Sequence, residues 1–259
     1  MSAPDPHAEL AALAAGLEAE VERASRRGLR RVPVPPPRPP ESPAAPPGAQ
    51  DSPPVAPESR PAGDPGLPAA LAGQCADLEG LGAAVAACRA CGLCESRKNT
   101  VFADGTGRAR VMFIGEAPGG EEDARGTPFV GPAGQLLTDI ITKGMKLARE
   151  DVYIANVLKC RPPENRDPSA RETELCTPWL DRQIELVDPL VLIPLGRHAS
   201  MHVLGIEAPM GRMRGRVHEA RGRKVVPTYH PAYLLRSPDK KKDTWKDIQL
   251  AMGLLGLAP

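Results

Sequence analysis

Cysteine is the residue type whose spacing most directly suggests chemistry in this chain. Cys88 and Cys91 are separated by two residues, and Cys160 and Cys176 follow much later. Four thiolates can hold either a structural zinc ion or an iron–sulfur cluster, and the spacing does not choose between them. Cys94 extends the first pair to a C-x-x-C-x-x-C run and competes for a ligand position. The sequence therefore predicts a metal site with four cysteine ligands.

A glycine-rich, acidic turn is the second candidate for chemistry. The segment GEAPGGEED covers residues 115–123 and begins with Gly115, Glu116 and Ala117. It lacks the lysine of a P-loop and the spacing of a dinucleotide fingerprint. It is either a structural strand-to-helix turn or a turn that brings backbone N–H groups close to a flat ligand.

Phe129 lies on a loop, in the segment GTPFVG, and the chain has only three Phe. A ring in that position can stack on a nucleic-acid base, an interaction worth about 1–3 kcal/mol. It can also fold under the loop and cover the core. The residues alone leave both interpretations open.

Short apolar runs separated by amphipathic segments predict the elements that position these residues. Near-continuous apolar strands that alternate with helices are typical of a parallel sheet covered on both faces. We therefore predict an α/β fold, a three-layer α/β/α sandwich around a four-stranded parallel sheet. The predicted strands are residues 111–115, 152–157, 190–195 and 225–229, and the predicted helices are residues 134–148, 171–187, 198–204 and 243–255.

This topology brings several polar groups to one edge of the sheet. Open parallel sheets bind ligands in the crevice at the carboxyl ends of their strands. The turn at residues 115–123 follows the first strand, Asn156 lies near the end of the second, and His230 follows the fourth. We therefore expect these groups to line one crevice.

Composition divides the chain into three parts. Residues 1–28 have leucines at helical spacing and predict a short amphipathic helix, either solvated or used to dock a protein partner. Residues 29–79 are rich in Pro and Ala and predict a disordered linker. Residues 80–259 are long enough for one packed core.

Charge and hydropathy exclude several classes of protein. The net charge of +1 does not indicate a nucleic-acid partner, although residues 196–247 are basic and suit a phosphate backbone. No apolar run is long enough to span a membrane, and the N-terminus lacks the pattern of a secretory signal. We expect a cytoplasmic protein, and nothing in the sequence requires more than a monomer.

Several segments together closely resemble the type-4 uracil-DNA glycosylases. They are GEAPGGEEDARGTPFVGPAGQLL, VYIANVLKCRPPENRDP, the later Cys176 and HPAYLLR, in that order between about residues 88 and 248. The resemblance implies a DNA-repair enzyme that hydrolyses the N-glycosidic bond of uracil in single- or double-stranded DNA, acting at the nucleoid. It also implies that Cys88, Cys91, Cys160 and Cys176 hold a [4Fe–4S] cluster, which leaves Cys75 and Cys94 as free thiols.

The same resemblance implies roles for the crevice residues. Phe129 would stack on a flipped uracil beside Gly115 and Ala117, Asn156 would recognise the pyrimidine edge, and His230 would donate to uracil O2 as a catalytic residue. Glu116 is the first candidate for the catalytic carboxylate. Glu122 and Asp123 are the next candidates, and the alternative for each of the three carboxylates is that it caps the following helix.

The segment HPAYLLR is expected to reach the DNA. One of Tyr233, Leu234 and Leu235 would enter the gap left by the base, while Arg236 and residues 240–242 would hold phosphates.

Three other classes of protein remain as alternatives. A relative that traps DNA covalently would need a histidine after the second strand, and KCRPPENRDPSARETE has none. A non-catalytic iron–sulfur protein that binds DNA would not need Glu116, Phe129, Asn156 and His230 together. A zinc-bearing structural module would differ in colour and iron content.

Overall fold

The computed structural model describes residues 66–258. The predicted N-terminal helix, residues 1–28, and residues 29–65 of the predicted linker lie outside this range. Within it, no helix combines the length and the apolar character that crossing a membrane requires.

A five-stranded sheet forms the centre of the fold. The strands are β1 (Val111–Gly115), β2 (Tyr153–Asn156), β3 (Val191–Pro194), β4 (His218–Ala220) and β5 (Arg223–Val225), in the order β2-β1-β3-β5-β4. β1 pairs in parallel with β2 and β3, and β3 pairs in parallel with β5. Gly115 of β1 lies opposite Asn156 of β2, so two predicted site residues meet at the carboxyl ends of neighbouring strands.

Helices surround this sheet. The longest begins with a capping box, in which Ser169 and Glu172 each accept a hydrogen bond from the other's backbone N–H. The described helices are α1 (Gly66–Gln74), α2 (Leu78–Ala87), α3 (Leu93–Ser96), α4 (Gly120–Arg125), α5 (Pro132–Asp139), α6 (Ala170–Val187), α7 (Arg197–Leu204), α8 (Met210–Met213), α9 (Pro231–Arg236) and α10 (Lys241–Leu255). A π-helical turn (Ile140–Gly144) extends α5, and single 3₁₀ turns are Arg149–Asp151, Pro163–Asn165 and Pro238–Lys240.

The alternation of side chains along β1 explains the three layers. Val111 and Phe113 belong to one buried cluster, which α5, the π-helical turn and α10 complete. Met112 and Ile114 belong to a second cluster on the other face, which α6 and α7 complete. β1 is buried at every position, and its alternate side chains pack into clusters on opposite faces of the sheet. Helices therefore cover both faces, and the predicted α/β/α sandwich is confirmed.

The sheet differs from the prediction at one edge. The sequence predicts four parallel strands, and the structure adds β4, which pairs antiparallel to β5. Arg221 and Gly222 both have positive φ between these strands, the backbone that a tight hairpin turn requires. The strand predicted at residues 225–229 lies earlier in the structure, as β5. Beyond β5 the pairing with the β3 segment continues through the hydrogen bond from Val226 to Leu192, at 2.9 Å, and the bridge from Leu195 to Thr228.

The folded region begins before residue 80, the boundary predicted from composition. Residues 66–74 and 78–79 fall within the predicted linker, yet they belong to α1 and α2. Leu81 and Val85 of α2 pack with Ala72 of α1 against Trp179 of α6. Arg182 donates two hydrogen bonds to the carbonyl of Cys75, at 2.8 and 3.0 Å. The apolar side of α6 therefore orders part of a segment whose composition resembles a linker.

Candidate active site and cysteine cavity

A cleft of about 500 Å³ opens at the carboxyl ends of β1 and β2. Four predicted segments meet there: the turn after β1, the Phe129 loop, the end of β2 and the start of α9. The lining residues include Glu116, Ala117, Glu122, Phe129, Asn156, Asp167, His230, Tyr233 and Arg236. The crevice expected from the topology is therefore present.

Gly115 lies beneath this cleft, where only a glycine fits. A Cβ atom at this position would collide with Oδ1 of Asn156 and would lie 2.7 Å from Cζ of Phe129. Its φ is not in the left-handed region, so the requirement is for space and not for backbone freedom. Gly115 thus allows the amide of Asn156 and the ring of Phe129 to approach each other.

The side chain of Asn156 is buried, with 2% of its surface exposed, and lines the cleft. Its Oδ1 atom has no hydrogen-bond partner among the described residues. A buried polar atom without a partner costs about 1–3 kcal/mol, so such an atom in a cleft indicates a ligand that completes the bond.

Phe129 has a left-handed backbone, with φ +54°, which is uncommon for an aromatic residue. Arg149 donates to the carbonyl oxygens of Pro128, at 3.0 Å, and Phe129, at 3.2 Å. Oε1 of Glu122 accepts from the N–H groups of the two residues that follow Phe129, at 3.0 and 3.2 Å. The strained loop is therefore held from both sides, and its ring is largely buried in the wall of the cleft.

His230 is the N-cap residue of α9, and its Nδ1 accepts from the backbone N–H of Ala232 at 3.1 Å. Its ring centroid lies 5.6 Å from that of Phe129. Burial and, to a lesser extent, the charge of Arg236 lower the pKa of His230 to about 4, although the charge of Glu122 opposes the shift. A neutral ring that accepts at Nδ1 carries its proton on Nε2, so His230 is a neutral hydrogen-bond donor.

Glu116 has a partner that sequence reasoning missed. Oε2 of Glu116 lies 2.9 Å from Nδ1 of His198, and Nε2 of His198 lies 3.9 Å from Oδ2 of Asp167. One ligand-type atom from each of these three residues lies within 4.8 Å of the other two. His198 stands near the start of α7, two residues after Gly196, which follows the third predicted strand at the crevice. Its position shortly after a predicted strand could have identified His198 as a site residue from the sequence.

The other two candidate carboxylates have structural partners. Glu122 lines the cleft but is occupied with the loop that carries Phe129. Asp123 is buried, and its Oδ1 accepts from the N–H of Lys98 at 2.9 Å. Neither caps α4 through its side chain, since the N-cap residue is Gly119. Glu116 lines the cleft and contacts His198 through Oε2, so its Oε1 atom can face a reacting group.

The predicted DNA-contacting residues of α9 separate into two groups. Tyr233 and Arg236 line the cleft, and the Tyr233 ring lies 5.2 Å from that of Tyr229. Leu234 is only 1% exposed, so its side chain packs in the core and its burial does not favour the predicted contact with DNA. Leu235, 46% exposed, is the leucine of this helix that faces solvent. The helical turn directs adjacent residues about 100° apart, and position 234 falls on the core side.

Residues 161–169 form one side of the cleft. Pro162, Asn165, Arg166 and Asp167 line it, and Asn165 accepts from Nε of Arg161 at 2.8 Å. Arg166 donates two hydrogen bonds to Glu172, at 2.6 and 2.8 Å, and lowers the pKa of this carboxyl to about 2. This segment connects Cys160 directly to the helix that carries Cys176.

The four cysteines predicted as ligands line one cavity. It also contains Cys94, together with the apolar side chains of Val85, Leu175 and Trp179 and the cations Arg97 and Lys159. Burial raises the pKa of the Cys160 thiol to about 11 and that of Cys176 to about 12. These thiols therefore remain protonated near neutral pH unless a metal displaces the proton.

Two basic side chains contact this set of cysteines. Arg97 donates to Sγ of Cys160 at 3.0 Å and to the carbonyl of Cys88 at 2.9 Å. The backbone N–H of Lys159 donates to Sγ of Cys176 at 3.3 Å. Positive charge beside clustered sulfurs favours their thiolate forms, so the donor set and its surroundings fit a thiolate-bound metal centre.

The position of His230 depends on a buried network that the sequence did not reveal. Thr228, two residues before it, donates to Asp247 at 2.8 Å. Arg214 donates to both oxygens of Asp247 at 2.9 Å, and its guanidinium lies 5.2 Å from the ring centroid of Tyr229. α10 therefore fixes the segment that leads into α9.

Comparison with known proteins agrees with this arrangement. The profile of the Uracil DNA glycosylase superfamily matches residues 102–250. The type-4 uracil-DNA glycosylase of Saccharolobus solfataricus is 43% identical over 181 residues, which cover 66% of this chain and 83% of that protein. The type-4 uracil-DNA glycosylase of Thermotoga maritima is 43% identical over 172 residues, which cover 65% of this chain and 89% of that protein. That of Archaeoglobus fulgidus is 41% identical over 180 residues, which cover 66% of this chain and 90% of that protein.

Proposed function

The chain belongs to the type-4 enzymes of the uracil-DNA glycosylase superfamily, and we propose that the cleft at the ends of β1 and β2 is where it excises uracil. The enzyme serves DNA repair by hydrolysing the N-glycosidic bond and leaving an abasic site. The observation that carries the assignment of the site is the convergence of Phe129, Asn156 and His230 around one cleft.

A base inside DNA must leave the stack before it can enter such a cleft, at a cost of a few kcal/mol. Phe129 offers a ring face on which the flipped base stacks, which offsets part of that cost. Tyr233 and Arg236, at the border of the cleft, are proposed to contact the DNA, and the exposed Leu235 lies on the same short helix.

Asn156 is proposed to select the base. Its unpaired Oδ1 accepts from uracil N3–H, while its Nδ2 donates to O4. Cytosine has an acceptor at N3 and an amino group at position 4, so both bonds would be replaced by repulsive contacts. Uracil is therefore favoured through hydrogen bonding at a buried site.

His230 is proposed to stabilise the leaving group. When the C1′–N1 bond breaks, its electron pair moves to the uracil ring and places negative charge on O2. The neutral Nε2–H of His230 donates to that oxygen, and a preorganised donor of this kind typically contributes about 10²–10³ in rate. The low pKa of His230 keeps this donor neutral, so the transition state gains a hydrogen bond without a buried charge in the free enzyme.

Glu116 is proposed to orient the attacking water. The sugar becomes cation-like as uracil leaves, and the carboxylate stabilises this charge and accepts a proton of the water that adds to C1′. His198 holds the second oxygen of Glu116 at 2.9 Å and fixes its direction.

Cys88, Cys91, Cys160 and Cys176 are proposed to hold a [4Fe–4S] cluster. The support is the set of thiols in one cavity and the two cations beside it. When bound, the cluster supplies a cross-link between the loop after α2, the segment after β2 and α6. Because residues 161–169 run between two of these ligands, the cross-link also fixes one wall of the cleft.

The proposal is tested with an oligonucleotide that contains a single uracil, using alkaline scission at the abasic site as the readout. Cleavage confined to the uracil strand, and absent with thymine or cytosine at the same position, is the expected result. His230→Ala and Asn156→Ala should each lose most of this activity while they keep the thermal stability of a folded protein. Wild-type rates in either variant would reject the assignment of the site.

The same experiment separates the alternatives. A brown, iron-loaded and folded protein that releases no uracil would indicate a non-catalytic DNA-binding protein. A protein–DNA band that survives denaturing electrophoresis would indicate covalent trapping. A colourless protein that contains zinc would indicate that the cysteines form a different metal centre.

A further inference from the structure

Lys159 is a buried lysine between the cysteine cavity and the cleft. Its side chain is 1% exposed, and its Nζ donates to the carbonyl oxygen of Asn156 at 2.7 Å and to Oε1 of Gln183 at 2.5 Å. Gln183 in turn donates to the carbonyl of Phe102 and to the hydroxyl of Tyr153, both at 3.1 Å. The ammonium group therefore occupies a fixed position at the end of β2.

The electrostatic surroundings of this ammonium group are unusual. Both acceptors recorded for it within residues 66–258 are neutral, although an isolated buried charge is strongly unfavourable. Lys159 lines the same cavity as Cys160 and Cys176, and its backbone N–H donates to Sγ of Cys176 at 3.3 Å. A metal centre bound by four thiolates carries negative charge, so it supplies the counter-charge that the neutral acceptors do not.

We propose that Lys159 is a positioning residue that connects the cysteine centre to the base-reading amide of Asn156. The negative charge of the centre stabilises the buried ammonium group, and the ammonium group holds the carbonyl of Asn156 in place through its hydrogen bond. The orientation of the Asn156 side chain, which depends on its own backbone, is thereby linked to occupancy of the cysteine site. The inference rests on the proposed function for what Asn156 recognises and for the cluster that the four cysteines are proposed to hold.

Arg97 provides the internal comparison. It contacts the same cysteine site, through Sγ of Cys160 and the carbonyls of Cys88 and Ala86. It has no recorded hydrogen bond to β2 or to the cleft within the described part of the chain. Lys159 and Arg97 therefore both stabilise the cysteine centre, but of these two residues Lys159 is the one that also donates to Asn156.

The test compares Lys159→Met with Arg97→Met in the full chain, loaded with iron and sulfide and adjusted to equal iron content. Iron release to a chelator should be about 10–100-fold faster in both variants, the range for losing an outer partner of a metal site. The inhibition constant for free uracil should rise about tenfold in Lys159→Met alone, as expected for one lost bond from a charged donor. Equal inhibition constants in the two variants, or wild-type iron retention in Lys159→Met, would overturn the proposal.

A second measurement needs no variant, in case Lys159→Met does not fold. Amide hydrogen exchange is followed in the wild-type chain while an oxidant progressively bleaches the iron centre. The amides of Val157 and Leu158 donate to the carbonyls of Gly115 and Glu116, at 3.0 Å each. These two amides should lose protection before that of Leu195, which donates to the carbonyl of Ile114 at 2.8 Å. Simultaneous loss at all three, or no change at Val157 and Leu158, would contradict the link.

These measurements also distinguish this inference from the proposed function. If the wild-type chain releases no uracil, the function fails, while iron release and hydrogen exchange still report on Lys159. If uracil is released normally and Lys159→Met behaves as Arg97→Met does, only the role of Lys159 fails.

Discussion

The backbone N–H of Ala232 donates to Nδ1 of His230 across 3.1 Å. This bond occupies the one nitrogen that accepts in a neutral imidazole, so the other nitrogen must carry the proton. The start of α9 therefore determines the tautomer of a residue that lines the cleft. A helix terminus thus prepares a donor before any substrate is present.

The lowered pKa of His230 leads to a prediction about stability and pH. The pKa is about 4 in the folded protein and about 6.5 in an unfolded chain, so folding is unaffected by this group above pH 6.5 and is opposed by it as the pH falls toward 4. As the pH falls over that interval, we expect the melting temperature of the wild type to decrease more than that of His230→Gln. Parallel melting curves for the two proteins between about pH 7.5 and 4.5 would contradict the low pKa.

Gly115→Ala tests the space beneath the cleft. The added methyl group would displace the Asn156 amide and the Phe129 ring, and a misplacement of about 1 Å can cost on the order of 10²-fold in rate. We expect uracil release to fall by that amount while the protein still folds. Gly73→Ala is the matched control, because a Cβ atom there meets nothing within 4 Å. Equal activity of both variants would show that the pocket accommodates the methyl group.

Arg149→Met tests the support of the strained Phe129 loop. The substitution removes bonds to two loop carbonyls and the ion pair to Asp104 at 2.9 Å. Hydrogen bonds from charged groups are worth about 1.5–3 kcal/mol, so kcat/KM should fall at least about tenfold. Arg108→Met, which removes only an exposed pair at 4.0 Å, should leave kcat/KM unchanged. A similar loss in both variants would mean that the effect of Arg149 is not local to the loop.

Cys160→Ser tests whether the cysteine centre contributes to folding. A metal held by four protein ligands adds its binding free energy to the folded state, and losing it typically costs on the order of 4 kcal/mol. We expect iron content and visible absorbance to fall sharply, and the unfolding midpoint to fall with them. Cys75→Ser is the control, because Cys75 does not line the cavity and its thiol donates to the carbonyl of Leu71 at 3.2 Å. Iron loss in both variants would place Cys75 among the ligands.

The sequence was sufficient to predict the elements and residues that are defined by order along the chain. The turn at Gly115, the amide of Asn156 and the imidazole of His230 each follow an apolar run, and parallel strands bring such positions together. The sandwich follows from the same pattern, because strands that are apolar at every position need cover on both faces. These features depend on topology and not on the details of packing.

Features set by packing were not predictable in this way. The direction of Leu234 depends on how a helix of six residues meets the core, and composition could not show that residues 66–74 pack on α6. His198 was overlooked because its contact with Glu116 joins two loops distant in sequence. Lys159 is contrary to the general rule that lysines remain exposed, and only its buried partners reveal why it is inside.

One border of the sheet is covered, and the other is short and charged. On one side, Asp104 exchanges backbone hydrogen bonds with Ile154 and covers the free side of β2. On the other, β4 has only three residues, and Glu219 forms an ion pair with Lys224 of β5. Short, charged or covered edges are the means by which sheet proteins resist pairing with other chains. This domain should therefore resist edge-to-edge aggregation when it is concentrated along a DNA strand.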